Sequence, residues 1–197
     1  LIFVQNNCFM KIEEQLALMH SGQHYDAHTP EMRAYRSEVK KKLHMLNVTE
    51  YHTDKMQEII RSLCPNSAPD LYLEPPFYCD YGEGIIAGEG VFVNFGAVIL
   101  DGGTVTIGKK TLIAPGVHIY TAEHPLDADE RDEWEDCRPV KIGERCWIGG
   151  HSTICPGVTI GDRCVIGAGA VVANDIPDDS LAVGVPARVI RKLNRKK

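Results

Sequence analysis

Apolar residues recur at every sixth position over most of the chain. Between residues 142 and 171 the sequence reads IGERCW, IGGHST, ICPGVT, IGDRCV and IGAGAV without a slip. The first positions of the repeats are Tyr81, Ala87, Val93, Ile99, Ile107, Ile113, Ile119, Ile142, Ile148, Ile154, Ile160, Ile166 and Val172. A period of six fits neither an amphipathic helix nor a long alternating strand. It predicts short strands that are separated by turns and wound into a solenoid, with the first position in the core.

Small residues occupy the second and fifth positions of most repeats, which indicates tight turns and close packing. Cys146 and Cys164 stand at the fifth position, so we expect these thiols to pack rather than to bind metal. Four second positions depart from the rule, namely Asn94, Leu100, Tyr120 and Cys155. Departures from a strict repeat are where function is most visible. Asn94, the amide among them, fits a turn residue as well as a functional one.

Residues 11–64 follow a helical pattern instead. KIEEQLALMHSG predicts a short helix, Thr29 and Pro30 predict the start of a second, and Thr53 predicts the N-cap of a third. We expect this segment to be a helical cap on the open end of a solenoid domain that spans residues 65–197. At the other end, SLAVGVPARVIRKL predicts a last strand, a turn and a short C-terminal helix.

A long interruption separates Ile119 from Ile142. The two residues are 23 positions apart where one repeat requires six, which leaves 17 extra residues. An insertion at a turn leaves the coils stacked and predicts an extruded loop over about residues 120–140. The loop begins TAEHP and contains eight acidic residues in all, most of which we expect to be solvated. His124 stands near its start, and an imidazole titrates near neutral pH, so it suits removal of a proton from an alcohol.

Composition narrows the classes of function. The 197 residues carry a formal net charge of −6, which argues against sequence-independent binding to nucleic acid. No apolar run approaches the ~18 residues of a membrane span, so we expect no membrane partner. Seven cysteines, without the spacing of a disulfide scaffold, fit the reducing cytoplasm. Residues 1–9 precede Met10, which suits a natural start, and we set them apart as an extension.

Several longer stretches of the sequence indicate a particular protein family. They are VNFGAVILDGGTVTIG, IAPGVHIYTAEHP, WIGGHSTICPGVTIGDRCVIGAGAVV and IPDDSLAVGVPARVIRKL, with HYDAHTPEMRAYR and EPPFYCDYG nearer the start. Together they closely resemble the maltose and galactoside O-acetyltransferases, which are sugar O-acetyltransferases of the hexapeptide-repeat superfamily, over nearly all of residues 11–193. The resemblance implies a mainly β fold, a left-handed parallel β-helix. It also implies acetyl-CoA as co-substrate, a small sugar as acceptor, no required metal, and a homotrimer with sites between subunits.

The same resemblance implies roles at matching positions. His124 matches the catalytic base, and Asn94 matches the asparagine beside the reacting centre, which also contacts the acceptor. The other acceptor-pocket positions are Asp26 and Asp80. The implied coenzyme A positions are Gly150, Ala168, Ala173, Asn174, Arg188 and Arg191. Three-residue spacing would place the two arginines on one face of the C-terminal helix, where they suit a polyanion.

Two departures from the family pattern concern the substrates. Gly102 follows Asp101 where galactoside enzymes have a second aspartate, so a preference for galactosides is in doubt. Ala173 and Asn174 stand where relatives often have Thr-Lys, which removes a cation near the coenzyme but leaves the backbone contacts intact.

The proposed reaction is direct acetyl transfer from acetyl-CoA to a sugar hydroxyl, and three alternatives stand beside it. Cys137 lies in the same loop and would allow an acyl-cysteine route. A zinc enzyme of the carbonic anhydrase type would need His118, His124 and His151 to converge on one metal. A non-catalytic β-helical assembly or binding module would use the loop for subunit contacts alone.

Overall fold

Helices open the chain and short strands follow them. The computed structural model describes residues 12–132 and 134–193, so the extension predicted at residues 1–9 lies outside the described residues. The helices are α1 (Ile12–His20), α2 (Pro30–Val48) and α3 (Asp54–Leu63). Thr29 and Thr53 cap α2 and α3 by accepting backbone N–H bonds at 3.2 Å, as the sequence predicted. No helix in the described ranges is long and apolar enough to cross a membrane.

The strands build a parallel solenoid of about five coils. They are β1 (Tyr72–Leu73), β2 (Tyr78–Cys79), β3 (Ile85–Ala87), β4 (Phe92–Val93), β5 (Val98–Leu100), β6 (Val105–Ile107), β7 (Leu112–Ile113), β8 (His118–Tyr120), β9 (Ala122–Glu123), β10 (Asp136–Cys137), β11 (Val140–Ile142), β12 (Trp147–Ile148), β13 (Thr153–Ile154), β14 (Thr159–Ile160), β15 (Val165–Ile166), β16 (Val171–Val172), β17 (Ser180–Val183) and β18 (Arg188–Lys192). The mainly β hexapeptide solenoid is confirmed, and its left-handed sense stays an implication of the resemblance.

Each coil of the solenoid has three faces. Face I contains β1, β4, β7, β12, β15, β17 and β18; face II contains β2, β5, β8, β13 and β16; face III contains β3, β6, β11 and β14. We name the turns by the faces they join. The first corner leads from face I to face II, the second corner from face II to face III, and the third corner from face III to face I of the next coil. The pair β9 and β10 belongs to the loop.

The six-residue period arises because neighbouring coils pair in register. On face I, Val93 pairs with Ile113, Ile113 with Ile148, and Ile148 with Ile166. These four side chains are at most 1% exposed. Each buried aliphatic side chain contributes about 1.5–3 kcal/mol of transfer free energy. Cys146 and Cys164 are buried as free thiols, which confirms the packing role predicted for the fifth position.

The first coil departs from the predicted phase. Cys79, rather than Tyr81, takes the inward position, since it pairs with Ile99 and is 1% exposed. Tyr81 packs instead in the cap cluster, beside Tyr25 and other residues of the N-terminal segment. The assignment of Tyr81 to the solenoid core was therefore wrong. The reason is that two extra residues enter the second corner of the first coil, as they do in the second coil before Ile107.

The C-terminal segment is a strand and not the predicted helix. β18 pairs antiparallel with β17 at the end of face I. The edge of β17 offers unpaired backbone groups, which β18 satisfies. β-branched Val189 and Ile190 also favour an extended backbone.

Polar and apolar surfaces are segregated around the solenoid. At the third corner Lys110, Arg145 and Arg163 all have φ between 53° and 58°, and their corner carries ion pairs such as Lys109–Glu144 at 3.2 Å. Face I instead exposes a ladder of apolar side chains that includes Leu112, paired with Trp147, which are 50% and 56% exposed. The third corner is thus a polar surface that faces solvent, whereas the exposed apolar side chains of face I are typical of a protein–protein contact surface.

Candidate active site

Most of the predicted site residues lie at two corners of the solenoid, at opposite ends of face II. Asn94, Gly150 and Ala168 lie at the first corner, just after strands β4, β12 and β15. Asp80, Ala173 and Asn174 lie at the second corner, after β2 and β16, and His124 lies in the loop that leaves this corner. Face II separates the two groups within one chain. The structure therefore does not bring Asn94 to His124 in a single subunit.

The loop is a hairpin rooted in the second corner. β9 and β10 pair antiparallel at its base, with Glu123 opposite Asp136. Thr121 fixes the root, because its hydroxyl donates to the Leu100 carbonyl at 2.6 Å and accepts the Gly103 N–H at 2.8 Å. Arg131, in a turn of 3₁₀ helix, folds the tip by donating to the carbonyls of Pro125 and Leu126. His124 directly follows β9, at the end of the paired part of the hairpin.

The loop and the N-terminal cap enclose a small polar cleft. Its volume is about 40 Å³. The lining residues are Tyr25, Asp26, Ala27 and His28 from the cap and His124, Arg131, Trp134 and Glu135 from the loop. His124 remains accessible, since its side chain is 58% exposed. Two of the predicted residues, Asp26 and His124, are thus brought together, in a cleft whose walls offer both charges and aromatic rings.

Glu135 connects the cap to His124. The hydroxyl of Tyr25 donates to Glu135 Oε1 at 2.5 Å, and the two residues also form an isolated antiparallel bridge. The second carboxylate oxygen, Oε2, lies 4.0 Å from His124 Nε2. No pattern in the sequence pointed to Tyr25, and Glu135 was counted among the loop's acids, most of which were expected to be solvated.

The two predicted acceptor aspartates occupy different positions. Asp26 lines the cleft, and its Oδ1 accepts the backbone N–H of His28 at 2.8 Å. Asp80 lies at the second corner of the first coil, where its Oδ1 is 3.6 Å from Lys40 Nζ on α2. Asp80 does not line the cleft of the single chain.

Asp101 organises the second corner of the first two coils. Its carboxylate is fully buried and accepts the backbone N–H groups of Asp80, Tyr81 and Gly84 at 2.9–3.1 Å. Burial raises the pKa of Asp101 from 3.8 to about 6, and the hydrogen bonds oppose this rise only in part. Backbone N–H groups around the two extra residues of the first coil thus donate to a carboxylate of the second coil.

Cys137 is poorly placed for the acyl-cysteine route. Its side chain is 0% exposed, and burial raises the pKa of the thiol from 9.0 to about 11. The thiol fills space beside Gly102, because a Cβ on that glycine would lie 2.5 Å from Cys137 Sγ. Cys137 therefore takes the space that the side chain of an aspartate at position 102 would enter.

The three histidines of the zinc alternative do not converge. His118 lies on face II, where its Nδ1 is 2.5 Å from the Tyr120 hydroxyl, while His151 turns the first corner and His124 stands on the loop. The described parts of the chain contain no group of three or more His, Cys, Asp or Glu side chains able to hold a metal ion. This geometry does not support a carbonic anhydrase site.

The first corner forms a continuous backbone edge. Gly150 accepts the N–H of Gly169 at 2.9 Å, and Pro115 accepts that of His151 at 3.0 Å, so the turns stack coil on coil. Gly150 has no side chain, and Ala168 is small and exposed. An extended ligand arm could therefore approach the backbone closely along this edge. On the far side of face II, Ala173 and Asn174 are exposed as well.

Arg188 and Arg191 share one side of the C-terminal hairpin, although not for the predicted reason. Residues three apart on a regular strand face opposite sides. Here the register shifts, so that Arg188 pairs with Val183 and Arg191 pairs with Leu181. Ile190 is the extra residue of the resulting bulge. The bulge brings both guanidinium groups to the exposed side of face I.

Family models match two parts of the chain. The model described as "Bacterial transferase hexapeptide (six repeats)" matches residues 139–174. The model described as "Maltose acetyltransferase hexapeptide capping motif" matches residues 18–66, which contain α2 and α3. The second match concerns the segment that carries Tyr25 and Asp26.

Relatives of known name and structure cover most of the chain. The galactoside O-acetyltransferase of Escherichia coli is 43% identical over 142 residues, 72% of this chain and 70% of the relative. The structure of a maltose O-acetyltransferase from Clostridium difficile matches 92% of this chain and 98% of its own, with 41% identity and a TM-score of 0.88. A hexapeptide-repeat acetyltransferase from Vibrio cholerae, solved with acetyl coenzyme A, matches 92% of this chain and 99% of its own, with 36% identity and a TM-score of 0.85. The chain therefore belongs to the maltose and galactoside O-acetyltransferase family of hexapeptide-repeat enzymes, which transfer acetyl groups from acetyl-CoA.

Proposed function

We propose that the protein transfers the acetyl group of acetyl-CoA to a hydroxyl of a small sugar, with His124 as general base. The observation that carries the proposal is the exposed imidazole of His124 in a polar cleft between the loop and the cap. An alcohol is a poor nucleophile at neutral pH, so a positioned base contributes about 10²–10⁴-fold to the rate.

The transfer takes place in one ternary complex. His124 removes the hydroxyl proton while the sugar oxygen attacks the thioester carbonyl, and the tetrahedral oxyanion then expels the thiolate of coenzyme A. The imidazolium returns the proton to that thiolate. Asn94 is the proposed oxyanion donor. Its Oδ1 already accepts the N–H of Phe95 at 2.8 Å, so its NH₂ group is the part that donates to substrate.

The complete site forms between copies of the chain. Face II holds Asn94 and His124 apart in one subunit, so the first corner of one copy has to meet the loop of another. The exposed apolar ladder on face I supplies a surface for this contact. We therefore propose a homotrimer in which acetyl-CoA lies along the first corner of one copy. Gly150 and Ala168 border its pantetheine arm on that side, Ala173 and Asn174 border it from the neighbouring copy, and Arg188 and Arg191 meet its phosphates.

The acceptor pocket combines Asp26 and Asp80 with the loop. The thiol of Cys137 beside Gly102 leaves no room for a second aspartate, which favours a maltose- or glucose-type acceptor over a galactoside. For Asp80 to reach the acceptor, its contact with Lys40 at 3.6 Å is released when the acceptor binds.

The test is release of free thiol from acetyl-CoA with a panel of maltose, glucose, galactosides and cell-envelope sugars. We expect His124→Ala to lower the transfer rate at least ~100-fold and to keep its circular dichroism spectrum. His44→Ala, an exposed histidine of α2, is the matched control and should keep the wild-type rate. Wild-type transfer by His124→Ala would reject the general-base role.

A further inference from the structure

The carboxylate of Glu135 is divided between two partners. Its Oε1 accepts the hydroxyl of Tyr25 at 2.5 Å, and its Oε2 faces Nε2 of His124 at 4.0 Å. A carboxylate that uses one oxygen for a fixed donor presents the other in a defined direction. Glu135 is therefore more than one of the loop's solvated acids.

Tyr25 holds this carboxylate in place. Its side chain is 7% exposed and packs in the cap cluster with Leu16, Met19 and Cys137. Burial and the neighbouring Cys137 raise the pKa of Tyr25, so the phenol stays protonated and remains a donor. The backbone bridge between Tyr25 and Glu135 fixes the same contact a second time. The cap thus determines where the loop carboxylate lies.

The other charges around the imidazole have other partners or lie farther away. Arg131 is bound to the carbonyls of Pro125 and Leu126, and Asp26 accepts the N–H of His28. Within the described ranges, Glu135 is the one carboxylate in ion-pair distance of His124. Its side chain is 23% exposed against 58% for His124, so the more buried group is the one that orients the other.

We propose that Glu135, held by Tyr25, is a positioning residue for His124. This inference rests on the general-base role proposed above. Contacts at catalytic bases are commonly long without substrate and tighten when it binds. On closure, the carboxylate accepts the N–H of the near ring nitrogen, so that the far nitrogen is unprotonated and faces the acceptor hydroxyl. The same carboxylate stabilises the imidazolium that forms during transfer.

The test compares isosteric and truncated variants in the trimeric enzyme. Glu135→Gln keeps an acceptor for Tyr25 but loses the charge, and we expect kcat to fall about 10–100-fold with KM for acetyl-CoA within about two-fold. Tyr25→Phe should lower kcat less, about three- to ten-fold, because the carboxylate remains but is no longer held. Glu130→Gln, an exposed acid of the same loop, is the matched control and should leave kcat unchanged.

Chemical rescue separates positioning from packing. Formate should raise the kcat of Glu135→Ala at least about five-fold, because a free carboxylate can occupy the vacated space. It should not raise the kcat of His124→Ala. Provided that His124→Ala is inactive, either of two results would overturn the inference. One is a Glu135→Gln enzyme whose kcat is within two-fold of wild type, and the other is a Glu135→Ala enzyme whose kcat formate does not restore. An active His124→Ala enzyme would instead overturn the proposed function itself.

Discussion

At the scale of single residues, Asp101 shows how one buried carboxylate can fix the backbone around a predicted site residue. Its buried carboxylate joins the first two coils by accepting three backbone N–H groups near Asp80. The sequence marked Asp101 only as the residue before Gly102. A buried role of this kind is hard to predict, because it depends on which coil the extra residues of the second corner lie against.

The titration of Asp101 gives a prediction with a definite sign. Its pKa in the folded protein, about 6, lies above the unfolded value of 3.8, so the folded state holds the proton more tightly. The destabilisation of the folded state by the buried charge of Asp101 is absent below about pH 4 and fully present above about pH 6. Relative to Asp101→Asn, the wild type should therefore lose up to about 3 kcal/mol of unfolding free energy as pH rises from 4 to 7.

Urea unfolding of both proteins at fixed subunit concentration measures this difference. Glu38→Gln, which removes a carboxylate from the exposed side of α2, serves as the control. A difference between wild type and Asp101→Asn that stays flat or grows in favour of the wild type with rising pH would contradict the prediction.

At the scale of elements, periodicity predicted the regular parts and failed at the ends. The solenoid follows from repeats such as Ile148 and Ile154, because each buried position is set by its own hexad. Two predictions failed where an element depends on a distant neighbour. Tyr81 belongs to the cap cluster, and residues 188–192 form β18 because β17 presents an edge to pair with. The loop was predicted by its length, but the Tyr25–Glu135 contact joins segments 110 positions apart and leaves no local pattern.

The bulge in β18 carries a prediction about coenzyme binding. Since Arg188 and Arg191 share a side of the hairpin, replacing either by alanine should raise KM for acetyl-CoA about five- to ten-fold, the loss of one charge-assisted contact. Lys192→Ala is the control, because Lys192 already donates to the Asp178 carbonyl at 2.6 Å and to Ser180 Oγ at 3.2 Å. Initial-rate kinetics over a range of acetyl-CoA concentrations measure the change. Equal effects of all three variants would argue against a specific role for the shared side.

At the scale of the whole molecule, the separation of Asn94 from His124 decides what one chain can do. The two residues lie at opposite ends of face II, so a single copy holds only half of the proposed site. The family resemblance implied both the pairing of Asn94 and His124 and sites between subunits, and the positions of the two corners support that proposal.

Mixing two inactive variants tests this arrangement directly. His124→Ala and Asn94→Ala should each be inactive alone, but subunits mixed in equal amounts and reassembled should recover about one quarter of wild-type activity. The reason is that one interface in four, on average, combines an intact Asn94 with an intact His124 from its neighbour. Size-exclusion chromatography checks that trimers form again after reassembly. If both residues served one intrachain site, no mixture of these variants would recover activity.

The hairpin at the end of face I has a consequence for assembly along the solenoid axis. A parallel stack of strands ends in an open edge that another molecule could extend, as in a fibril. β18 closes that edge with an antiparallel strand that carries Arg188, Arg191 and Lys192. Two molecules that approached end to end at this strand would bring like charges together. The same short segment that is proposed to bind the coenzyme thus also terminates the growth of face I.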